Sequence, residues 1–211
     1  MLAELNHLVA SLQKRLSNSL PGQEAHQLAK VQSQTPFSFF NSIETPIPAS
    51  VLILLFPKDN DIHFFLTKRT DAVEHHKGQI SLPGGAREDG EQLQETAIRE
   101  TEEEIGVDKN IIQLVGGLTP FYIPVTGFMV HPFIGWCRKR PSTNIQIDEV
   151  HKLFTVSLST LLDDQIFQSE NWEIRGQKAI VPFYNFEGRK VWGVTASILS
   201  EFKLILKDVK L

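Results

Sequence analysis

Glu100, Glu103 and Glu104 stand at i, i+3 and i+4 in the run Arg99-Glu100-Thr101-Glu102-Glu103-Glu104-Ile105-Gly106. On a helix these positions are surface neighbours. Three carboxylates that close repel one another unless a cation lies among them. Magnesium suits the arrangement, because it takes oxygen ligands and is held by a few carboxylates together with substrate phosphates. From Glu88 to Glu104 the acids are Glu88, Asp89, Glu91, Glu95, Glu100, Glu102, Glu103 and Glu104, and Arg99 is the sole basic residue. A solvated helix face normally interleaves Lys or Arg with its acids. Composition alone leaves an ion site and a surface helix equally open.

The wider spacing decides between them. Gly85, five residues, Glu91, seven residues and then Arg99 to Val107 form one fixed pattern. This pattern resembles the Nudix box, the signature of enzymes that hydrolyse a nucleoside diphosphate linked to another group. One slot departs: Thr101 stands where an aliphatic residue is usual. Thr keeps a methyl group for packing. The resemblance implies that Glu100, Glu103 and Glu104 are the main ligands of Mg2+ or Mn2+. It adds the backbone carbonyl of Gly84, where a glycine lets main chain approach an ion closely. Arg99 is expected to orient the carboxylates through a bidentate contact, and Glu91 to act on the helix dipole. Nudix enzymes draw their general base from the box or from a distant loop, so Glu100 and Glu149 are both candidates.

The segment ahead of the box narrows the substrate. Leu66-Thr67-Lys68-Arg69-Thr70, then Val73, His76 and Gly78-Gln79-Ile80-Ser81-Leu82-Pro83-Gly84-Gly85, is similar to the motif preceding the box in Nudix coenzyme A diphosphatases. Those enzymes cut CoA or its thioesters to 4′-phosphopantetheine and adenosine 3′,5′-bisphosphate. Glu74 in a slot often basic and Leu82 in place of Phe are departures. The similarity continues through Gly117-Leu118-Thr119-Pro120, Val125-Thr126-Gly127-Phe128, Pro132-Phe133-Ile134-Gly135 and Val191 to Leu199, covering roughly residues 50–200. Lys68, Arg69, His76 and Lys77, with Gly78, are the expected phosphate contacts; Phe121, Tyr122 and Phe128 are candidates to line an apolar channel. The alternative is a Nudix hydrolase acting on ADP-ribose, NADH or dinucleoside polyphosphates.

These residues need a scaffold. A chain of 211 residues suits one domain, or one domain with a terminal extension. Leu2, Leu5, Leu8, Val9, Leu12 and Leu16 predict a helix over residues 2–17 that docks on the protein's own body or on a partner subunit, leaving a homodimer open. Residues 1–35 read as an N-terminal helical extension, and residues 36–211 as the Nudix hydrolase domain, with 34–48 an irregular connection. Strands are expected at Ser50–Phe56 and Ile62–Lys68 across a turn at Pro57–Asp61, then at Ile80–Leu82, Ile111–Gly117, Val130–Cys137, Leu153–Val156, Trp172–Arg175, Ala179–Tyr184 and Lys190–Gly193. Helices are expected over 92–105, packing through Leu93, Ala97, Ile98, Thr101 and Ile105 and ending at Gly106, and near Ser159–Asp163. A closing helix is expected to be capped by Thr195. The expected fold class is α/β with a mixed β-sheet, and the resemblance implies a Nudix-type α/β/α sandwich.

Charge and cysteine usage bound the setting. A net charge of −4 gives no reason to expect nucleic acid. Cys137 is the only cysteine, which suits a reducing compartment and a buried filler role. No apolar run approaches a membrane span and the start is unlike a secretory signal. The ending Val209-Lys210-Leu211 only half resembles a peroxisomal Ser-Lys-Leu address. A cytoplasmic protein acting on a small nucleotide is the resulting expectation.

Overall fold

The computed structural model describes residues 1–33, 45–70, 79–174 and 176–209. The chain order is α1 (Leu2–Leu16), α2 (Gly22–Leu28), β1 (Gln32–Ser33), β2 (Ile47–Lys58), β3 (Asp61–Arg69), β4 (Ile80–Ser81), β5 (Gly84–Ala86), α3 (Leu93–Ile105), β6 (Gln113–Gly117), β7 (Phe121–Ile123), β8 (Phe128–Trp136), β9 (Val150–Ser157), α4 (Leu158–Leu162), β10 (Phe167–Ile174), β11 (Gln177–Phe186), β12 (Arg189–Trp192) and α5 (Gly193–Asp208).

Strand β2 is the spine, and its sequence says why. Residues Leu52 to Phe56 are apolar without a break and all wholly buried, as a strand covered on both faces must be. Alternation then sorts them. Leu52, Leu54 and Phe56 join Phe65, Ala97, Ile105 and Cys137 on the α3 face. Ile53 and Leu55 join Phe64, Leu66, Ile134 and the buried faces of α1 and α5 on the other. Helices therefore cover both sides of an eight-stranded mixed sheet, in which β2 runs parallel to β8 and antiparallel to β3 and β5. The α/β/α expectation holds. Strands β1, β10, β11 and β12 do not extend this sheet; they make a second, antiparallel one. Its Tyr184, Phe186 and Val191 pack into the same core as α5.

Several expected boundaries shift for local reasons. The β2–β3 turn is only Asp59-Asn60, both at positive φ (49° and 61°), the backbone that a tight hairpin twist requires; Pro57 and Lys58 are still in the ladder. Helix α5 begins at Gly193 with Trp192 as its cap and no side-chain cap bond. Thr195 falls inside the first turn because β12 runs into the helix without an intervening loop. The amphipathic stripe of α1 docks on the protein's own body, with Leu5, Leu8, Val9 and Leu12 in the main core. Cys137 is buried and desolvation pushes its thiol up to about 11, so it is an inert filler. Among the described residues no helix is long and apolar enough to cross a membrane.

One buried acid ties the N-terminal segment to the rest. Glu201 of α5 is wholly inaccessible to solvent. It accepts from the Gly22 amide at 3.0 Å, the Thr119 amide at 3.1 Å and the Thr119 hydroxyl at 2.6 Å, and it meets His26 Nε2 at 3.1 Å. Burial pushes its pKa up, but the bonds from His26, Thr119 and Gly22 outweigh that and hold the carboxyl below the usual range. A depressed carboxyl contributes stability that is present above its unfolded pKa and lost as pH falls through the folded value. Stability should therefore decline on acidification below the ordinary glutamate value of 4.5. Urea midpoints from about pH 3 to 6 should show this slope flattened in Glu201→Gln. Glu201→Ala, which strands four polar partners, should cost on the order of 3–5 kcal/mol at neutral pH.

Candidate active site

Helix α3 is set by its two ends. At the start, the Glu95 carboxylate accepts from the Gln92 amide at 2.8 Å, one limb of a capping box. At the end, Gly106 takes the left-handed conformation, φ 69°, and its amide returns to the Glu102 carbonyl at 2.8 Å. A side chain at Gly106 would meet the Asn144 backbone nitrogen at 2.7 Å. The loop after β8 packs there and caps the helix: Asn144 donates to the Ile105 carbonyl and Gln146 to the Glu104 carbonyl, each at 2.9 Å. That same loop carries Glu149, whose carbonyl accepts from the Thr70 amide at 3.0 Å.

The three box glutamates have unequal surroundings. Glu103 is exposed (57%), Glu100 is mostly covered (14%), and Glu104 is nearly buried (3%). The buried face of α3 consists of Thr96, Ala97, Thr101, Glu104 and Ile105, so Glu104 lies on the packing face that the spacing had assigned to apolar residues. Leu93 and Ile98, expected on that face, are only half-buried. Thr101 fits its aliphatic slot because it is wholly buried with its hydroxyl satisfied by the Ala97 carbonyl at 2.7 Å. Burial drives the Glu104 carboxyl up to about 8 against the opposing influence of Arg69, with Glu100 and Glu149 adding repulsion. Burial likewise raises Glu100, while Arg99 lowers it and Glu103 and Glu149 push it further up. Glu149 is thus close enough for both box carboxylates to feel its charge.

Arg99 is the local organiser. It donates to Glu91 at 2.9 and 3.2 Å, Glu100 at 2.9 Å, Glu103 at 2.8 Å and the Ala86 carbonyl at 3.0 Å. Its pKa is raised by these carboxylates, and it holds Glu91 down at about 2. Glu91 also accepts from Thr96 at 2.7 Å and so ties the box loop to the helix. Its expected dipole role is thereby joined by a direct ion pair.

The segment before the box folds onto this helix. β4 pairs with β3, and Arg69 donates its amide to Gln79 at 3.0 Å. Between Lys68 and Arg69 the β3–β9 register slips, a bulge of the kind that re-aims a side chain. Arg69 thereby comes within 3.7 Å of Glu104. Lys68 pairs in register with Lys152 of β9 and makes no ion pair with the box glutamates among the described residues. His76 and Gly78, with Val73, Glu74, His75 and Lys77, lie outside the described residues. Phe128 pairs with Ile123 at the start of β8, and the Phe121 ring meets the His26 ring at a tilt, with centroids 5.2 Å apart. Sequence reasoning overlooked β5, β7 and the Glu201 hub; the signal for Glu201 was an acid set inside the apolar stripe of Ile198, Leu199, Phe202 and Ile205.

For a divalent cation the donors are all oxygens, Glu100, Glu103, Glu104 and the Gly84 carbonyl, a set suited to Mg2+ or Mn2+. Among the described residues no three side chains yet converge on one point; Arg99 stands between Glu100 and Glu103. The buried, mutually repelling Glu100 and Glu104 are the groups that a cation would satisfy.

These features are those of a Nudix domain, and a family model with that description matches residues 46–174. Mitochondrial Nudix hydrolase 15 of Arabidopsis thaliana is 36% identical over 84% of this chain and 65% of its own length. The peroxisomal coenzyme A diphosphatase of Caenorhabditis elegans is 36% identical over 55% of this chain and 51% of its own. The chain thus spans about half to two thirds of the length of these curated relatives. A Nudix hydrolase from M. smegmatis shares the fold, with a TM-score of 0.55 at 15% identity over 86% of this chain and 96% of that one. The chain belongs to the Nudix hydrolase family.

The two glycines of the Pro83-Gly84-Gly85 turn should separate folding from site geometry. At Gly84, φ is 153° and an added methyl group would meet the Ser50 carbonyl and, at 2.7 Å, the Val51 Cα. Both obstacles are rigid backbone, so Gly84→Ala should cost about 2–3 kcal/mol. At Gly85 the nearest obstacle to the methyl is the Glu100 carboxylate, the far end of a side chain. Gly85→Ala should keep its melting temperature within a few degrees and lose most of its turnover. Thermal melts and rate assays on the two variants test the contrast.

Proposed function

We propose that this protein hydrolyses the diphosphate bond of coenzyme A or its thioesters, releasing 4′-phosphopantetheine and adenosine 3′,5′-bisphosphate, with Mg2+ or Mn2+ as cofactor. The observation that carries this reading is the placement of the pre-box segment. The stretch that resembles coenzyme A diphosphatases runs along β3, β4 and β5 directly onto the box helix, with Arg69 facing Glu104. The similarity to the coenzyme A diphosphatase of C. elegans supports the same substrate class.

Glu100, Glu103 and Glu104, with the Gly84 carbonyl, would hold the metal. When bound, it supplies neutralising charge to the phosphate oxygens and lowers the pKa of a coordinated water. The rest falls to the protein's own groups. Arg99 fixes Glu100 relative to the Gly85 turn, since it binds Glu100 and the Ala86 carbonyl together. Arg69 offers a guanidinium beside the buried Glu104, placed to meet a phosphate oxygen. Glu149 stands on the loop that caps α3 and is accessible to water, which suits a proton acceptor; Glu100, mostly covered, is the other acceptor within the cluster. Lys68 on β3, with His76 and Gly78 from the stretch that follows it, would complete the proposed phosphate contacts. The single buried cysteine is compatible with work in a reducing compartment such as the cytoplasm.

Incubation of the purified chain with CoA and Mg2+, followed by mass spectrometry, should yield the two named products. Glu103→Gln and Glu104→Gln should each lower kcat at least about a hundredfold, on the scale of losing one charge-stabilising group. Dephospho-CoA should be cut less efficiently than CoA. Equal or faster cleavage of ADP-ribose, NADH or a dinucleoside polyphosphate would move the assignment to another Nudix substrate class.

A further inference from the structure

Away from the box glutamates, a groove of about 820 Å³ wraps the outer edge of β9. Its walls carry Lys58, His63, Arg140, His151, Lys152 and Arg189, and a single acid, Glu187. Two of these cations are already engaged. Lys58 donates to Thr155 at 3.2 Å and lies 3.4 Å from Asp59; Arg189 pairs with Glu187 at 2.9 Å and rests over the Phe154 ring at 5.2 Å. Arg140 and Lys152 have no ion pair among the described residues. His63 is the telling member. Its ring stacks on Phe56 at 6.3 Å, and its Nδ1 is buried with no hydrogen-bond partner among the described residues. Burial, with Lys58 and Arg140 nearby, lowers its pKa against the weaker pull of Asp61 and Asp59.

Basic residues on an edge strand often serve only to discourage strand pairing. That explains Lys152 on β9 itself. It does not explain Arg140, which comes from the loop after β8, or Lys58 and the orphaned His63 nitrogen, which come from the β2–β3 hairpin. Three separate segments place positive charge and one unsatisfied ring nitrogen around the same hollow, and a buried polar atom left unpaired is costly. We propose that this groove binds a phosphate group, as a free anion or as a phosphomonoester carried by a nucleotide. Arg140 and Lys152 would supply the charge, and the His63 imidazole would supply a hydrogen bond from its ring. The Asn144–Ile145 wall is continuous with the loop that caps α3, so a ligand here would touch the segment that carries Glu149. The site stands on the groove's own residues and does not depend on which diphosphate is cleaved.

Titration of the full-length, metal-free chain with inorganic phosphate, at ionic strength matched with chloride, tests it without turnover. Two-dimensional NMR should show saturable shifts of the His63 ring and of amides at residues 143–155. The apparent affinity should fall roughly tenfold or more in Arg140→Ala/Lys152→Ala, whose side chains make no ion pair among the described residues. Shifts that never saturate, or that are the same in the variant, overturn the proposal. Adenosine 3′,5′-bisphosphate then distinguishes the two sources. Displacement of phosphate by it assigns the groove to a nucleotide phosphomonoester; failure to compete assigns it to the free anion.

Discussion

The burial of the Glu104 carboxylate is the constraint around which this structure is arranged. A glutamate on the packing face of a core helix costs several kcal/mol when charged and unpaired. Its close neighbours are the Gly84 amide, at 3.3 Å, and the Arg69 guanidinium, at 3.7 Å. Neither contact is short enough to be a strong charge-assisted pair, and the carboxyl is driven up to about 8 accordingly. The fold keeps the group where ordinary packing would exclude it. Burial of an acid beside a single guanidinium is the pattern that makes Glu104 a candidate functional residue.

Both ends of α3 are used to bring distant segments to this group. Gly85 can lie against Glu100, and Gly84 against the β2 backbone, only because neither carries a side chain. The loop that carries Glu149 is fixed from the opposite end, since it provides the amides that the last helical carbonyls need. Helix capping and site assembly are therefore one event. The β3 bulge adds the third element by turning Arg69 inward. No element meets the glutamates by its sequence position alone, and each is held by a backbone bond that can be named.

Much of this was legible in the residues. The unbroken apolar run of β2, the alternation of its neighbours and the Gly106 stop identified the spine, the layering and the helix end. The box spacing identified the acids. The unequal burial of those acids was not anticipated, although its trace was present: Ala97, Thr101 and Glu104 fall at i, i+4 and i+7, a single buried stripe. The separation of β10 to β12 into their own sheet left no local signal, because strand propensity does not specify a partner. Strands of two or three residues such as β1, β5 and β7 lie below the length at which alternation can be recognised. Glu201 was overlooked for a related reason. Its partners, Gly22, His26 and Thr119, are remote in sequence and reveal nothing until they meet.

The distribution of charge explains why the acids have to be split in this way. Arg99 engages Glu91, Glu100 and Glu103 at once, and Arg69 faces Glu104. Two guanidinium groups thus answer four carboxylates, and Glu149 adds a fifth negative charge close by. Were all of them on one exposed face, water would screen the excess and no cation would be held tightly. Were all buried, the excess would be relieved by protonation, as Glu104 already shows in part. Placing one acid in the core, one at the boundary and one in solvent keeps a local negative field with a wet approach. A hard divalent ion and the phosphates it accompanies can enter such a site, whereas an isolated surface cluster or a sealed core would offer them nothing.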